Sequence, residues 1–368
     1  MCTDTGSREE RAEDMDEANQ LGVIDCDIHL NIAAIDVLLP FLDTYWRSYI
    51  QETSFKGPID TSYPRGSGLD PDPTARLGDS ATAADRDRLR AWMLDRDQVT
   101  TGILTSAYAI ESIRNPFAAA ALASAINDWQ TRDWLSAEPR LRGSVIVPIQ
   151  DPELAAREID RVGTNPGFVQ VLVPVHVDIL YGHRHYYPIY DAATRAGLAI
   201  GIHAGGNPGN PPTAVGWPTY FVEEYVGMAP IFQSQLISLV TEGVFDRFPD
   251  LRVALIESGV TWLPSLMWRL DKEWKGLRRE VPWVRRLPSE YIHDHVRLTT
   301  TPFDASRDPA QVQEIIDQIG AEDLLMFASD FPHQHGGQSP TGLLAGLPPE
   351  LRRKIASTNA AAFYRLAQ

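Results

Sequence analysis

Eight short apolar runs, rich in β-branched residues, recur along the 368-residue chain and limit what it can fold into. They are continuous hydrophobic stretches rather than strict alternations, which is typical of strands buried on both faces of a parallel sheet. Amphipathic stretches separate them, and several of these end at a glycine, as helices commonly do. The runs lie at residues 22–28, 99–106, 143–149, 167–173, 198–204, 251–257, 296–301 and 323–329.

Strands that alternate with helices in this way predict an α/β fold, a distorted (β/α)8 or TIM barrel. An open doubly wound sheet is the alternative, but the chain has no glycine-rich phosphate turn after its first strand. A stretch rich in Pro, Gly and Asp, roughly 50–85, predicts a long insertion after strand 1 rather than a second domain. Residues 1–20 are acidic and polar and predict a disordered or arm-like tail, which leaves 21–368 as a single barrel domain.

The balance of charge narrows the classes of partner. With 49 acidic and 33 basic residues the formal net charge is −16, which argues against nucleic acid or an anionic membrane surface. No apolar run approaches the length of a membrane span, and the first residues contain no apolar signal region. Cys2 and Cys26 cannot form a disulfide framework, so we expect a cytoplasmic location.

Acidic and imidazole side chains collect where the predicted strands end. Because the carboxyl ends of barrel strands form one rim, where the chemistry of this fold takes place, these side chains should meet at one mouth. Each alone is explained by a polar loop or a hydrogen-bonded core histidine, but the mixed nitrogen and oxygen set predicts a divalent metal site. His293 and His295 precede strand 7 and are expected at the surface of the opposite face. The rim set is Asp25, Asp27, His29, His203, Glu257, Asp330, His333 and His335, with His176, His183 and His185 after strand 4.

From about residue 22 onward the pattern resembles the amidohydrolase superfamily, and most of all its branch around aminocarboxymuconate-semialdehyde decarboxylase. That branch carries D-x-H-x-H at strand 1, a histidine after strand 5 and an aspartate at strand 8. Here strand 1 reads "DCDIH", so Asp27 replaces the first metal histidine and His29 matches the second. "GIHAGG" matches the strand 5 ligand at His203, and "FASDFPH" matches the strand 8 ligand at Asp330.

Strand 6 departs from the family pattern. Where the family has a catalytic histidine followed by glycine and later Leu-Pro, this chain reads "IESGVTWLP", which places Glu257 at that position. Glu257 is therefore expected to act either as a base or as a metal ligand. The predicted catalytic residues are Glu257, Asp330 and His203.

The resemblance leaves both one metal ion and two metal ions open. A single zinc or manganese ion would be held by Asp27, His29, His203 and Asp330 together with water. A second ion would need a carboxylate bridge, with Glu257 and either His333 or His335 as its ligands. Carboxylates and imidazoles of this kind suit iron or manganese and can activate dioxygen.

An oxygen-dependent offshoot of the family uses dinuclear iron or manganese–iron centres, and the chain is similar to it in Glu257 and in the histidine that follows Asp330. The favoured prediction is therefore a monooxygenase that hydroxylates a small carboxylate with O2. The alternative is a non-oxidative decarboxylase or hydrolase with one zinc or manganese ion, in which Asp330 relays a proton. A third hypothesis is a non-catalytic or partner subunit, which the intact set of ligands disfavours and the missing strand 6 histidine favours.

Three residues of the rim loops are candidate substrate contacts. Arg114 can grip a carboxylate, and Asn207 belongs to the glycine-containing turn "HAGGNPGNPP" at the mouth. Trp262 is one of several aromatic residues there that together indicate an apolar pocket. The expected partners are the small carboxylate, O2, and further barrel subunits in a homo- or hetero-oligomer.

Overall fold

Eight parallel strands follow one another through a single sheet in the order of the sequence. Each strand pairs in parallel with the next one along the chain. They span Val23–His29 (β1), Val99–Thr105 (β2), Leu141–Ile146 (β3), Phe168–His176 (β4), Ala199–Gly206 (β5), Val253–Ile256 (β6), Val296–Thr299 (β7) and Leu325–Met326 (β8). The computed structural model describes residues 22–366 apart from 31, 33, 59–82, 96–97, 107, 207–210, 212–214, 307, 321, 334–343 and 345.

The barrel closes between β1 and the chain that follows β8. The backbone N–H of His29 donates to the carbonyl of Phe331 at 2.8 Å, and that of Asp330 donates to the carbonyl of Asp27 at 3.1 Å. β8 itself is shorter than the predicted run, because only Leu325–Met326 pairs with β7 as regular strand. The prediction of a TIM barrel is confirmed.

Helices alternate with the strands and pack on the outward-facing side chains of the sheet, for instance on Val171 and Val173 of β4. Left-handed glycines, Gly197 and Gly320, end two of them at the predicted positions. The helices are Thr44–Glu52 (α1), Ala83–Leu89 (α2), Pro116–Trp129 (α3), Pro152–Val162 (α4), Tyr187–Ala196 (α5), Phe221–Thr241 (α6), Val244–Arg247 (α7), Leu263–Leu277 (α8), Pro288–His295 (α9), Pro309–Ile319 (α10), Pro349–Arg353 (α11) and Asn359–Tyr364 (α12). Short 3₁₀ segments cover Ile35–Phe41, Ile110–Ser112 and Arg184–Tyr186, and π-helical turns cover Arg90–Asp95, Gln130–Leu135 and Lys354–Thr358.

Polar contacts inside the barrel show which residues of β4 and β5 face its axis. The Gln170 amide donates to Ser144 Oγ at 2.9 Å and accepts from the Tyr364 hydroxyl at 3.0 Å. A β-carbon at Gly201 would stand 2.6 Å from the Gln170 amide oxygen, so Gly201 also faces inward. Since side chains of a strand alternate, His203 lies on the same inner face, two residues nearer the mouth.

Some predictions about the chain's outer parts are corrected or fall outside the described residues. The tail at 1–20 and most of the predicted insertion, 59–82, lie outside them. His295 is buried rather than at the surface, and that prediction was wrong. Its ring stacks on Phe245 with 4.5 Å between the ring centroids. Its Nδ1 lies 2.8 Å from the carbonyl oxygen of Leu251, so the buried ring has a hydrogen-bond partner. Within the described part of the chain, no helix has the length and apolar character needed to cross a membrane.

Candidate metal centre

Three strand ends bring two imidazoles and two carboxylates together at the mouth of the barrel. His29 Nε2, on β1, lies 3.7 Å from Asp27 Oδ1 and 3.1 Å from Glu257 Oε1, just beyond β6. His203 Nε2, on β5, lies 2.9 Å from the same Glu257 oxygen and 3.5 Å from Asp27 Oδ2. Asp27, His29, His203 and Glu257 form a group with one donor atom from each residue, all within 4.8 Å of one another. We call these four residues the inner group.

A second, overlapping group lies on the β8 side. Asp330 Oδ1 stands 2.8 Å from His29 Nε2 and 2.9 Å from His333 Nδ1, and the His29 and His333 rings are 4.4 Å apart. This group contains Asp330 and His333 and shares His29 and Glu257 with the inner group. Among the described residues, Glu257 lies in both groups and Asp330 only in the second, and the ligand role expected for Asp330 stays a prediction.

The two residues that end β6 and lead away from β8 have an unusual backbone. Glu257 has φ 59° and Asp330 has φ 56°, in the left-handed region that residues with a β-carbon rarely adopt. Such a conformation costs about 1–3 kcal/mol and persists where the surrounding structure holds it. Around Glu257 that support includes a hydrogen bond from its own N–H to Thr299 Oγ1 at 3.1 Å. Strain at two carboxylates of one cluster indicates that their positions serve the site.

The inner group fits a divalent cation. Both carboxylate oxygens of Asp27 are buried and accept no hydrogen bond from a described residue, and His203 Nε2 lies close to Glu257 without the alignment of a hydrogen bond. Ligand atoms bound at about 2.0–2.2 Å to one metal ion stand roughly 3.0–3.5 Å from each other. The imidazole-to-carboxylate distances of 2.9–3.7 Å agree with that geometry.

The electrostatics of the cluster also favour a bound cation. Burial lowers the pKa of both imidazoles, but Asp27 and Asp330 outweigh it at His29, whose pKa lies well above its usual value. At His203 burial is outweighed by Glu257 and then Asp27, which raise the pKa to about 10. Burial also opposes ionisation of Asp27 and Glu257, yet the imidazolium charges hold both pKa values below the usual range. The carboxylates thus attract protons onto the imidazoles wherever no metal ion supplies the positive charge.

Asp25 has a different position from the one that strand alternation suggests. Its Oδ1 accepts hydrogen bonds from the N–H of Ser329 at 2.9 Å and of Asp27 at 3.2 Å. The pairing of β1 with β2 shifts register between Asp25 and Ile28. Asp25 therefore links β1 to the chain after β8 and stays out of both metal-binding groups.

The candidate substrate contacts lie apart from this cluster. Arg114 is exposed, with its guanidinium 3.6 Å from Asp178, and it borders a cavity of about 300 Å³ on the rim after β2, β3 and β4. Trp262 is half-buried against the core, and its Nε1–H donates to the carbonyl oxygen of Ser258 at 2.8 Å. Asn207 and His335 lie outside the described residues.

Two titratable groups near the mouth were not predicted from the sequence. Glu111 lines the rim cavity, and burial raises its pKa to about 7. Tyr225 of α6 has its pKa raised by burial and then by the negative charges of Glu257 and Asp330, which places the phenol near the cluster. Glu111 follows the second predicted strand and could have been found by that position. Tyr225 gave no such signal, because it follows a loop whose path the sequence does not define.

The comparison with known proteins now decides the family. The amidohydrolase family model matches residues 24–366, which is most of the chain. The chain belongs to the amidohydrolase family. The resemblance stated from strands 1, 5 and 8 is confirmed, including the branch that contains decarboxylases.

Curated relatives of this amidohydrolase are decarboxylases by name. It is 27% identical over 306 residues to gamma-resorcylate decarboxylase of Rhodococcus jostii (strain RHA1), covering 76% of this chain and 87% of the relative. It is 28% identical over 269 residues to the gamma-resorcylate decarboxylase of Polaromonas sp. (strain JS666 / ATCC BAA-500), covering 67% of this chain and 77% of the relative.

Solved structures share the fold. The 5-carboxyvanillate decarboxylase of Sphingomonas paucimobilis superposes with a TM-score of 0.67 at 22% identity, over 94% of this chain and 100% of that one. A dihydroxybenzoic acid decarboxylase from Polaromonas sp. JS666 has a TM-score of 0.64 at 21% identity, over 94% of this chain and 98% of that one. That second structure holds manganese and the inhibitor 2-nitroresorcinol.

These findings correct the favoured prediction. The monooxygenase reading is wrong, and non-haem iron and O2 lose their support with it, because the relatives are decarboxylases. The alternative reading agrees with them. That prediction rested on assigning surplus carboxylates and histidines at the mouth to a second metal ion, whereas the two groups of donors share His29 and Glu257. The prediction of a divalent metal is confirmed by the manganese in the related structure together with the donor cluster.

Proposed function

We propose that this amidohydrolase is a metal-dependent decarboxylase that removes carbon dioxide from a small hydroxylated aromatic carboxylate. The observation that carries the proposal is the inner group at the mouth of the barrel, where the buried Asp27 oxygens accept no hydrogen bond from the described part of the chain. The substrate class follows the names of the relatives, gamma-resorcylate and 5-carboxyvanillate decarboxylase. In the related structure the metal is manganese, and we propose the same ion here.

One ion per chain agrees with the geometry better than two. An imidazole nitrogen offers a single lone pair, and His29 Nε2 faces Asp27, Glu257 and Asp330 at once. Asp27 and Glu257 together neutralise one divalent ion. Asp330 lies outside this set, 2.9 Å from His333 Nδ1, and can take up the proton that the reaction requires. The proposed ligands are accordingly Asp27, His29, His203 and Glu257.

The proposed catalytic step follows from what surrounds the inner group. When bound, the divalent ion supplies Lewis-acid polarisation of the substrate's oxygens. Loss of carbon dioxide breaks the bond between the ring carbon and the carboxylate and leaves the electron pair on that ring carbon. A proton must then reach the carbon, and we assign its delivery to Asp330. His333 has 27% of its side chain exposed and contacts Asp330, so it connects this carboxyl group with solvent.

The substrate contacts, the assembly and the location of the protein are also proposals. Arg114 and Trp262 are kept as candidate substrate contacts, Arg114 because its exposed guanidinium borders the rim cavity with Glu111 and His176. Assembly with further barrel subunits and the cytoplasmic location also stay predictions.

The decisive experiment measures carbon dioxide release and oxygen uptake with the manganese-loaded enzyme and a series of dihydroxybenzoates. We expect release without oxygen uptake, loss of activity on chelation, and recovery with manganese. A hydrolysable ester or amide that is turned over while no benzoate loses carbon dioxide would contradict the proposal.

The matched variants are His203→Ala and His183→Ala. His203→Ala should lose metal and activity with an unchanged circular dichroism spectrum, because the residue is a proposed ligand at the rim and no part of the packed core. His183 is exposed on the loop after β4 and should keep both when replaced. Full metal occupancy in His203→Ala is incompatible with the proposed ligand set.

A further inference from the structure

A second cavity, of about 510 Å³, lies at the end of the barrel opposite the metal cluster. It is lined by residues that directly precede β6 and β7, such as Arg252 and His295, and by Arg365 near the end of the chain. Strands of a parallel barrel begin on the face away from their carboxyl ends, so this cavity is separate from the mouth.

Arg252 has donors that nothing satisfies among the described residues. Its Nη2 donates to the carbonyl oxygen of Gly197, but its Nε and Nη1 are buried without a hydrogen-bond acceptor. A buried guanidinium N–H that lacks an acceptor lowers stability, because nothing compensates its loss of hydration. The planar guanidinium also lies 5.7 Å over the Phe363 ring, which fixes its orientation.

Arg365 places a second positive charge beside Arg252. Its Nη1 lies 3.9 Å from where a β-carbon at Gly197 would stand, and Gly197 is the residue whose carbonyl group Arg252 contacts. Burial and then the charge of Arg365 lower the pKa of Arg252 to about 10. The chain has 49 acidic residues, yet neither of these two adjacent arginines forms an ion pair with a described carboxylate.

The backbone conformation of Arg365 also indicates a role for this side chain. Its φ is 56°, and it occupies the left-handed position after α12 that glycine or asparagine usually takes. The chain keeps an arginine there although a residue with a β-carbon is conformationally unfavourable at such a position.

We propose that Arg252 and Arg365 bind the oxyanion head of a small organic phosphate or carboxylate in this cavity. Two guanidinium groups side by side offer the paired N–H donors that such oxyanions accept. The cavity is much larger than an inorganic anion, so the ligand has an organic body beside the head. Tyr291 and the Phe245–His295 stack give that body aromatic walls.

The aspartates that line the cavity do not pair with Arg252 or Arg365 in place of the proposed anion. Asp294 pairs with Arg286 at 2.6 Å, and Asp246 lies by the Tyr291 hydroxyl, whose pKa is raised by burial and by this carboxylate. Asp250 forms no described ion pair with either Arg252 or Arg365. These carboxylates instead suit hydroxyl or amino groups on the body of the ligand.

The test is calorimetric titration of the manganese-loaded full chain with inorganic phosphate, and separately with succinate, as probes of the oxyanion head. We expect saturable binding of at least one probe with one site per chain. Arg365→Gln should weaken it at least tenfold, and Arg252→Gln with Arg365→Gln should abolish it. Arg279→Gln, an exposed arginine after α8, should bind as the wild type does.

Phosphate bound at the metal ion would add a second site that the double variant retains, so only the site that the double variant loses is assigned to this cavity. Binding that persists unchanged in the double variant would place the anion elsewhere and overturn the proposal, as would the absence of saturable binding of either probe. If the double variant fails to fold, Arg365→Gln alone decides, since Arg365 is exposed. Preference for phosphate or for succinate identifies the head group, and neither preference depends on decarboxylase activity.

Discussion

At the scale of single residues, Glu257 and Asp330 have different proposed roles, and two variants distinguish them. If Glu257 is a metal ligand and Asp330 delivers the proton, Glu257→Gln should lower manganese affinity by tenfold or more. Asp330→Asn should keep the metal and lose at least a hundredfold in kcat, because a carboxamide cannot release a proton to carbon. Metal content by mass spectrometry and steady-state rates measure both.

Glu111→Gln is the matched control for this pair, since Glu111 lies outside both metal-binding groups among the described residues. It should retain the metal at wild-type affinity. The reverse pattern, with the metal lost in Asp330→Asn and kept in Glu257→Gln, would restore Asp330 as the fourth ligand and leave Glu257 as a base.

Glu111 itself makes a prediction about pH. Burial raises its pKa from 4.5 to about 7, so between these values the unfolded chain has released a proton that the folded chain keeps. The resulting stability is present below pH 4.5 and is lost as the pH rises through about 7. Glu111→Gln carries no such charge and should gain relative stability over that window, by about 1–2 kcal/mol given partial exposure. Equal differences in unfolding free energy at pH 5 and pH 8 would contradict this.

At the scale of elements, the end of β5 depends on a glycine that allows close approach to β4. Gly206 has φ 120°, and a β-carbon there would stand 2.4 Å from the carbonyl oxygen of His176. Gly205 has φ 102°, and no described atom lies within 4 Å of a β-carbon placed there. Both replacements by alanine carry backbone strain, but only Gly206→Ala also pushes β5 away from β4.

We therefore expect Gly206→Ala to be less stable than Gly205→Ala by about 1–3 kcal/mol. It should also bind manganese more weakly, because His203 lies three residues earlier on β5. Thermal unfolding and metal titration of the two variants test this. Identical behaviour would show that the approach of β4 to β5 does not position His203.

Much of the barrel could be predicted from these elements because strands buried on both faces are long apolar runs. For β4 the prediction ended too early. The apolar run covers 167–173, but the strand continues to His176, past a proline, a residue that usually ends a strand. β8 shows the opposite error, because pairing rather than composition decides where a strand stops. The rim position of His203 and Asp330 followed from strand ends alone.

The grouping of donors within the rim could not be predicted in this way. Whether Asp330 or Glu257 completes the set around Asp27 depends on left-handed backbone turns after β6 and near β8. Neither residue is a glycine, so the sequence gives no sign that the backbone enters the left-handed region at these two positions. The burial of His295 was missed for a related reason, because it depends on packing against Phe245, which comes from a distant helix.

For the whole molecule, metal binding and proton binding compete for the same buried cluster. In the metal-free protein the pKa of His203 is raised from 6.5 to about 10, and that of His29 is raised as well. The protonated imidazoles stabilise the metal-free fold fully below pH 6.5, and this contribution is lost as the pH rises through about 10. Manganese must displace these protons, so its affinity should rise by roughly ten- to a hundredfold for each unit of pH between 6 and 9.

The difference in Tm between manganese-loaded and chelated protein should therefore widen from pH 6 to pH 9 at a fixed free metal concentration. Two effects act together, since the metal-free form loses its imidazolium charges while the loaded form gains affinity. Differential scanning calorimetry measures both forms, and pH-indicator absorbance counts the protons released on metal addition. His203→Ala should release fewer protons and show a smaller difference in Tm. A difference that stays constant over this range, with no proton release, would mean that the imidazoles are neutral before metal binds and that the carboxylates alone attract the cation.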